Sequence, residues 1–137
     1  MKPMRTLRLI LPVCLAAAAL PLASMLLASE DPTPEHVKMM KDVNDTNGKI
    51  RKGVDVEANA KHLAELAKEV EAYWSKKSEV AAKSSTAFVA GANDLVKAAG
   101  ANDAAAMQTA GRAIGGSCRT CHDAHREKIS DTQYKIK

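Results

Sequence analysis

Two thiols and an imidazole stand together near the C-terminus, in the run Cys118-Arg119-Thr120-Cys121-His122. In a helical turn residues i and i+3 share a face, so both sulfurs can reach the two vinyl groups of one porphyrin and form thioethers. His122 follows at once and can give its imidazole to iron as the proximal ligand. The chemistry implied is covalent haem attachment, and nothing else in the 137 residues is as specific.

Other uses of a Cys-x-x-Cys pair fit less well. A thioredoxin-like dithiol needs a βαβ setting, and no strand-like run surrounds these cysteines. A zinc site would have to enlist His125 beside Cys118, Cys121 and His122. Four ligands strung along about 10 Å of one helix cannot close a tetrahedron.

The N-terminus reads as an export address. Lys2, Arg5 and Arg8 precede an uncharged apolar run from Leu9 to Ala28, the pattern of a secretory signal at residues 1–28. Pro12 and Pro21 make the run a poor spanning helix, so cleavage after Ala28 is favoured over retention as an anchor. Cys14 leaves with the signal, and the remaining domain, 29–137, holds two cysteines, both committed to haem. Its 109 residues suit one compact domain. They keep all 16 acidic residues but 17 of the 20 Lys and Arg, so the mature chain is nearly neutral and, with two haem carboxylates, a poor partner for nucleic acid.

From Thr33 the pattern is helical throughout, and four helices are expected. The first opens at Thr33-Pro34-Glu35, a hydroxyl cap before proline, and runs to about Lys52, where Gly53 ends it. The second starts at Asp55 and carries a seam of Val56, Ala60, Leu63, Ala67, Val70 and Trp74. The third begins near Ser78, buries Ala81, Phe88, Ala92 and Leu95, and stops at Gly100; the fourth is capped by Asn102, passes Met107, Ala110 and Ile114, and bears the haem motif. A tail from about Ser130 is expected to be disordered. The short links predict an all-α, antiparallel up-down-up-down four-helix bundle with one covalently bound haem, whose bulk supplements a core holding one Phe and one Trp.

A C-terminal Cys-x-x-Cys-His on the last helix of an all-helical exported domain resembles the class II cytochromes c, the group of cytochrome c prime, over residues 33–129 in layout and most specifically over Cys118 to Arg126. The resemblance implies haem c as cofactor, a periplasmic location, no enzymatic activity, and redox proteins as partners, with homodimerisation possible. It also implies that Arg126, four residues after the haem histidine, lies near a haem propionate; an exposed helix-end cation is the equal alternative. The class I design, with a ligating methionine downstream, fails because none of the 15 residues after His122 is methionine.

The sixth iron ligand separates an electron carrier from a gas binder. In the expected topology the haem lies beside the first turns of helix one, which hold His36, Met39 and Met40. Met107 is roughly 22 Å up the fourth helix from His122 and cannot reach; His125 is on the wrong side of the ring, and His62 reads as a surface residue. Met40 shares a stripe with Val43, Asn47, Ile50 and Val54, so it is the preferred ligand, Met39 the alternative and His36 less favoured. Some class II members resemble this pattern in having a methionine on helix one and six-coordinate iron, whereas cytochrome c prime itself leaves that side open. The expectation is a His/Met electron carrier, with five-coordinate binding or buffering of NO or CO as the rival. A peroxidase would want a distal His and Arg pair, which helix one does not display.

Two further features bear on the pocket. Trp74 closes helix two at the haem end, where its ring can pack on the macrocycle. Gly111, Gly115 and Gly116 weaken helix four, and close approach of haem or a neighbouring helix is the expected compensation, with Gly116 the best candidate.

Overall fold

The computed structural model describes residues 29–137. The expected signal, its cleavage point after Ala28 and Cys14 lie outside the described residues. Four helices follow in order: α1 (Pro34–Arg51), α2 (Val56–Trp74), α3 (Glu79–Gly100) and α4 (Ala104–His125). They form the four-helix bundle, and among the described residues no helix is long and apolar enough to cross a membrane.

Local chemistry sets the boundaries. Thr33 Oγ1 accepts from the His36 amide at 3.2 Å and Pro34 takes the first helical position, where its missing N–H costs nothing. The C-terminal end of α1 is a Schellman turn: Gly53 adopts φ 73°, its amide donates to the Ile50 carbonyl, and the Val54 amide donates to that of Lys49. Ser78 caps α3, accepting from the Ala81 amide at 3.0 Å.

Asn102 does not cap α4. It sits at φ 53° and finishes α3, donating to the Ala99 carbonyl while Asp103 donates to that of Ala98, and Asp103 caps α4 through the Ala106 amide at 2.9 Å. Asparagine tolerates the left-handed region, so Asn102 finishes one helix through its backbone and leaves the next cap to its neighbour.

The core is alanine-rich. The seam expected on α2 is buried from Ala60 to Trp74, and Ala81, Phe88, Ala92 and Leu95 of α3 close on it with Ala110 and Ile114 of α4. Gly91 is the close approach between α3 and α4: a Cβ there would stand 3.1 Å from Ile114 Cγ1. No neighbouring helix approaches α4's own glycines, because a Cβ on Gly111, Gly115 or Gly116 would meet no protein atom within 4 Å, so of the two expected compensations the helix contact falls. Val54 also departs from its expected stripe, lying beyond the end of α1 and 47% exposed.

The C-terminal tail, where disorder is expected from about Ser130, is instead the second arm of a hairpin. Strand β1 (Arg126–Lys128) pairs antiparallel with β2 (Tyr134–Ile136), and Ile136 also exchanges two 2.8 Å backbone hydrogen bonds with Glu30. The cause is Ile136, whose side chain joins the helical core. A single apolar anchor beyond a polar turn is too short a signal to read as a strand.

Sequential helices pack against one another, α1 on α2, α2 on α3 and α3 on α4, but α1 and α4 form no comparable packed pair. That missing fourth seam is where the cavity lies.

Candidate haem site

A cavity of about 630 Å³ opens between α1 and α4, well inside the range of ~300–1,000 Å³ usual for cofactor pockets. Cys118, Cys121 and His122 line it from α4, Met40 and His36 from α1, Trp74 from the end of α2, and Phe88 from α3. Helix α4 continues unbroken through the pentapeptide, so the i, i+3 relation between the thiols is kept.

Both cysteines are free thiols and half-buried. Burial pushes both thiols up from their ordinary value, and at Cys121 the neighbouring Cys118 adds to the effect. His122 lines the cavity; desolvation, then the positive Arg126, hold its imidazole below the usual histidine range, with Asp123 opposing. A neutral imidazole is the form that binds iron.

His125 also lines the cavity and lies 5.4 Å from the Trp74 ring, but its two nitrogens are turned to other partners. Its Nε2 lies 2.7 Å from Ser78 Oγ and its Nδ1 lies 3.1 Å from the Lys137 carbonyl. With both nitrogens engaged it cannot complete a zinc set, and among the described residues no group of three or more His, Cys, Asp or Glu converges on a metal position.

The methionines separate. Met40 lines the cavity, whereas Met39 packs half-buried against the helical core and does not. Met107 likewise packs on the core, and His62 is exposed. Trp74 is 4% exposed and on the cavity wall, with its ring edge-on to His36 at 5.4 Å. Arg126 caps α4, lines the cavity mouth, makes no ion pair among the described residues and stacks over the Tyr134 ring at 4.5 Å.

These residues fit a covalently held haem: two thiols on one helical face, a neutral imidazole beside them, an apolar slot of the right size, and in His36 a buried ring with both nitrogens unpaired. The family model described as Cytochrome C' matches residues 33–126. The chain belongs to the cytochrome c prime family. No curated protein and no solved structure matches it. Membership in the cytochrome c prime family brings with it a c-type haem, bound covalently and carrying iron.

The cytochrome c prime-like slot also has walls that the sequence pattern did not announce. Ser84, Ser85 and Ser117 are buried along it; Ser85 and Ser117 turn their hydroxyls back to helical carbonyls at 3.1 and 2.7 Å, which leaves a polar-poor surface. Tyr134 and Ile136 close one end, and they come from the hairpin that composition alone leaves invisible. His36 was the weakest of three ligand candidates by spacing. Its place four residues before Met40, on the same face of α1, was the signal that it belongs to the pocket.

Proposed function

We propose that this protein is an exported, periplasmic carrier of single electrons that holds one haem c and catalyses no bond chemistry of its own. The haem supplies Fe(III)/Fe(II) cycling when bound. Cys118 and Cys121 fix it to α4 by thioethers, His122 gives the proximal nitrogen, and Met40 gives the distal sulfur. A thioether opposite imidazole favours the reduced state compared with a second histidine, which suits a carrier.

One observation carries the reading: His122 and Met40 come from two helices that do not pack on each other, yet line one cavity. A soft sulfur and a neutral imidazole thus stand on separate walls of the same slot. Trp74 and Phe88, both buried, give the slot apolar lining, which would limit the reorganisation each electron transfer demands. Redox proteins would dock at the open edge where His122 and Arg126 reach the surface.

The absorption spectrum of the holoprotein tests this. A sharp reduced α-band with a weak ferric sulfur-to-iron band in the red is expected. Met40→Ala should convert the iron to high spin and open it to CO, while Met39→Ala should not. A broad high-spin Soret band with ready CO or NO uptake in the unaltered protein would establish the five-coordinate gas-binding reading instead.

A further inference from the structure

His36 is 4% exposed, and neither Nδ1 nor Nε2 has a hydrogen-bond partner. Buried polar atoms are nearly always paired, so two orphans on one ring point to a partner that is not part of the polypeptide. The ring is held on the cavity wall by Tyr73 at 5.2 Å and Trp74 at 5.4 Å, so it does not swing out to find water. Desolvation, then repulsion from His122 and Lys77, disfavour a second ring proton, and a neutral ring has one N–H to donate.

Helix arithmetic says what that partner is. His36 precedes Met40 by four residues on α1, a step of about 6 Å along one face. Arg126 follows His122 by four residues on α4, which runs the opposite way, so both steps lead toward the same end of the bundle. Cys118 lies four residues from His122 in the other direction, toward the bundle interior. Haem carries its carboxylates on the edge opposite its vinyl groups. A haem attached through Cys118 and Cys121 with its vinyl edge inward would turn its carboxylates toward the end of the bundle that holds His36 and Arg126. The surroundings there are cationic: Lys77 Nζ stands 4.7 Å from the Tyr73 ring centroid and 5.6 Å from that of Trp74.

We propose that His36 anchors the haem by donating its ring N–H to a propionate carboxylate, on the side of the cavity that Arg126 shares. This rests on the reading of the cavity as a haem pocket with Met40 as distal ligand. His36 is thus a positioning residue, and it also tunes the iron, because a carboxylate whose charge is partly neutralised by a donor stabilises the ferric state less.

The test uses the holoprotein and its His36→Leu and His36→Gln variants. His36→Leu should shift the ferrous/ferric equilibrium toward ferric by up to about tenfold, the scale of one charge-assisted hydrogen bond, and move the propionate bending band in resonance Raman. His36→Gln keeps a donor and should restore most of both, with the iron low-spin throughout. An unchanged potential and band in His36→Leu would overturn the anchor and leave His36 as packing. Conversion to high spin in His36→Leu, with Met40→Ala still low-spin, would make His36 the ligand and overturn both assignments. If His36→Leu shifts the potential while neither methionine variant changes the spin state, the anchor stands and only the methionine assignment falls. Should a variant fail to fold, proton NMR of the unaltered ferrous protein decides: nuclear Overhauser contacts between the His36 ring and the propionate methylenes are expected, and their absence overturns the proposal.

Discussion

Ser78 Oγ lies 2.7 Å from His125 Nε2, which ties the first residue before α3 to the last residue of α4. The same oxygen accepts from the Ala81 amide, so its own proton is free for Nε2, and Nδ1 then carries the ring proton toward the Lys137 carbonyl. One hydroxyl therefore caps a helix and clamps the segment that follows His122. Ser78→Ala should destabilise the protein by about 1–2 kcal/mol, the cost of a lost cap with a further hydrogen bond. Urea unfolding of the holoprotein, followed by far-UV circular dichroism, measures it.

The glycines of the bundle should divide into two kinds. Gly91→Val would drive side-chain atoms into Ile114, since even a Cβ would stand 3.1 Å from Ile114 Cγ1, and should cost about 1–3 kcal/mol. Gly111→Ala meets nothing within 4 Å and should stabilise by up to ~1 kcal/mol through helix propensity. Thermal melts that ranked the two the other way would show that α3 and α4 do not meet at Gly91.

The C-terminal hairpin should be part of the cooperative fold. Ile136 is 9% exposed and packs in the helical core, so Ile136→Ala should cost about 2 kcal/mol or more. Hydrogen exchange provides a second check: the Glu30 and Ile136 amides, each bonded at 2.8 Å, should be protected in the parent and lose protection in the variant.

Burial raises both thiols above the ordinary 9.0, so in the haem-free chain Cys118 and Cys121 should alkylate slowly at neutral pH. The rate should climb with pH through and beyond that value. Fast alkylation near neutrality, measured by mass spectrometry of iodoacetamide-treated protein, would place the thiols outside the apolar slot.

The haem-free chain should also weaken in acid. His36 and His122 are both held below 6.5, chiefly by desolvation, so below that pH the unfolded chain binds more protons than the folded one. Their contribution is intact above about pH 6.5 and is lost as pH falls through the folded values. Helicity measured from about pH 7.5 down to about 5 should decline, and His36→Gln should blunt the decline.

Much of this protein was determined locally. The haem attachment proposed for the pentapeptide could be read locally because it needs two thiols one helical turn apart, a relation contained in five residues. Thr33-Pro34, Gly53 and Ser78 set helix ends through hydrogen bonds that span only a few positions, and the α2 seam follows from helical periodicity, so each was legible in the chain. Three features were not read from such signals, the last two because they depended on long-range packing. Asn102 and Asp103 divided their roles according to which one took the left-handed turn. Ile136 turned an expected loose tail into a strand by finding the core, and α1 and α4 stayed apart because the other three seams closed. That separation put Met40 in the cavity and Met39 against the core, two adjacent residues between which spacing favours Met40 without deciding. It also buried His36 beside Trp74 without a partner, a fact that exists only once distant helices enclose the same space.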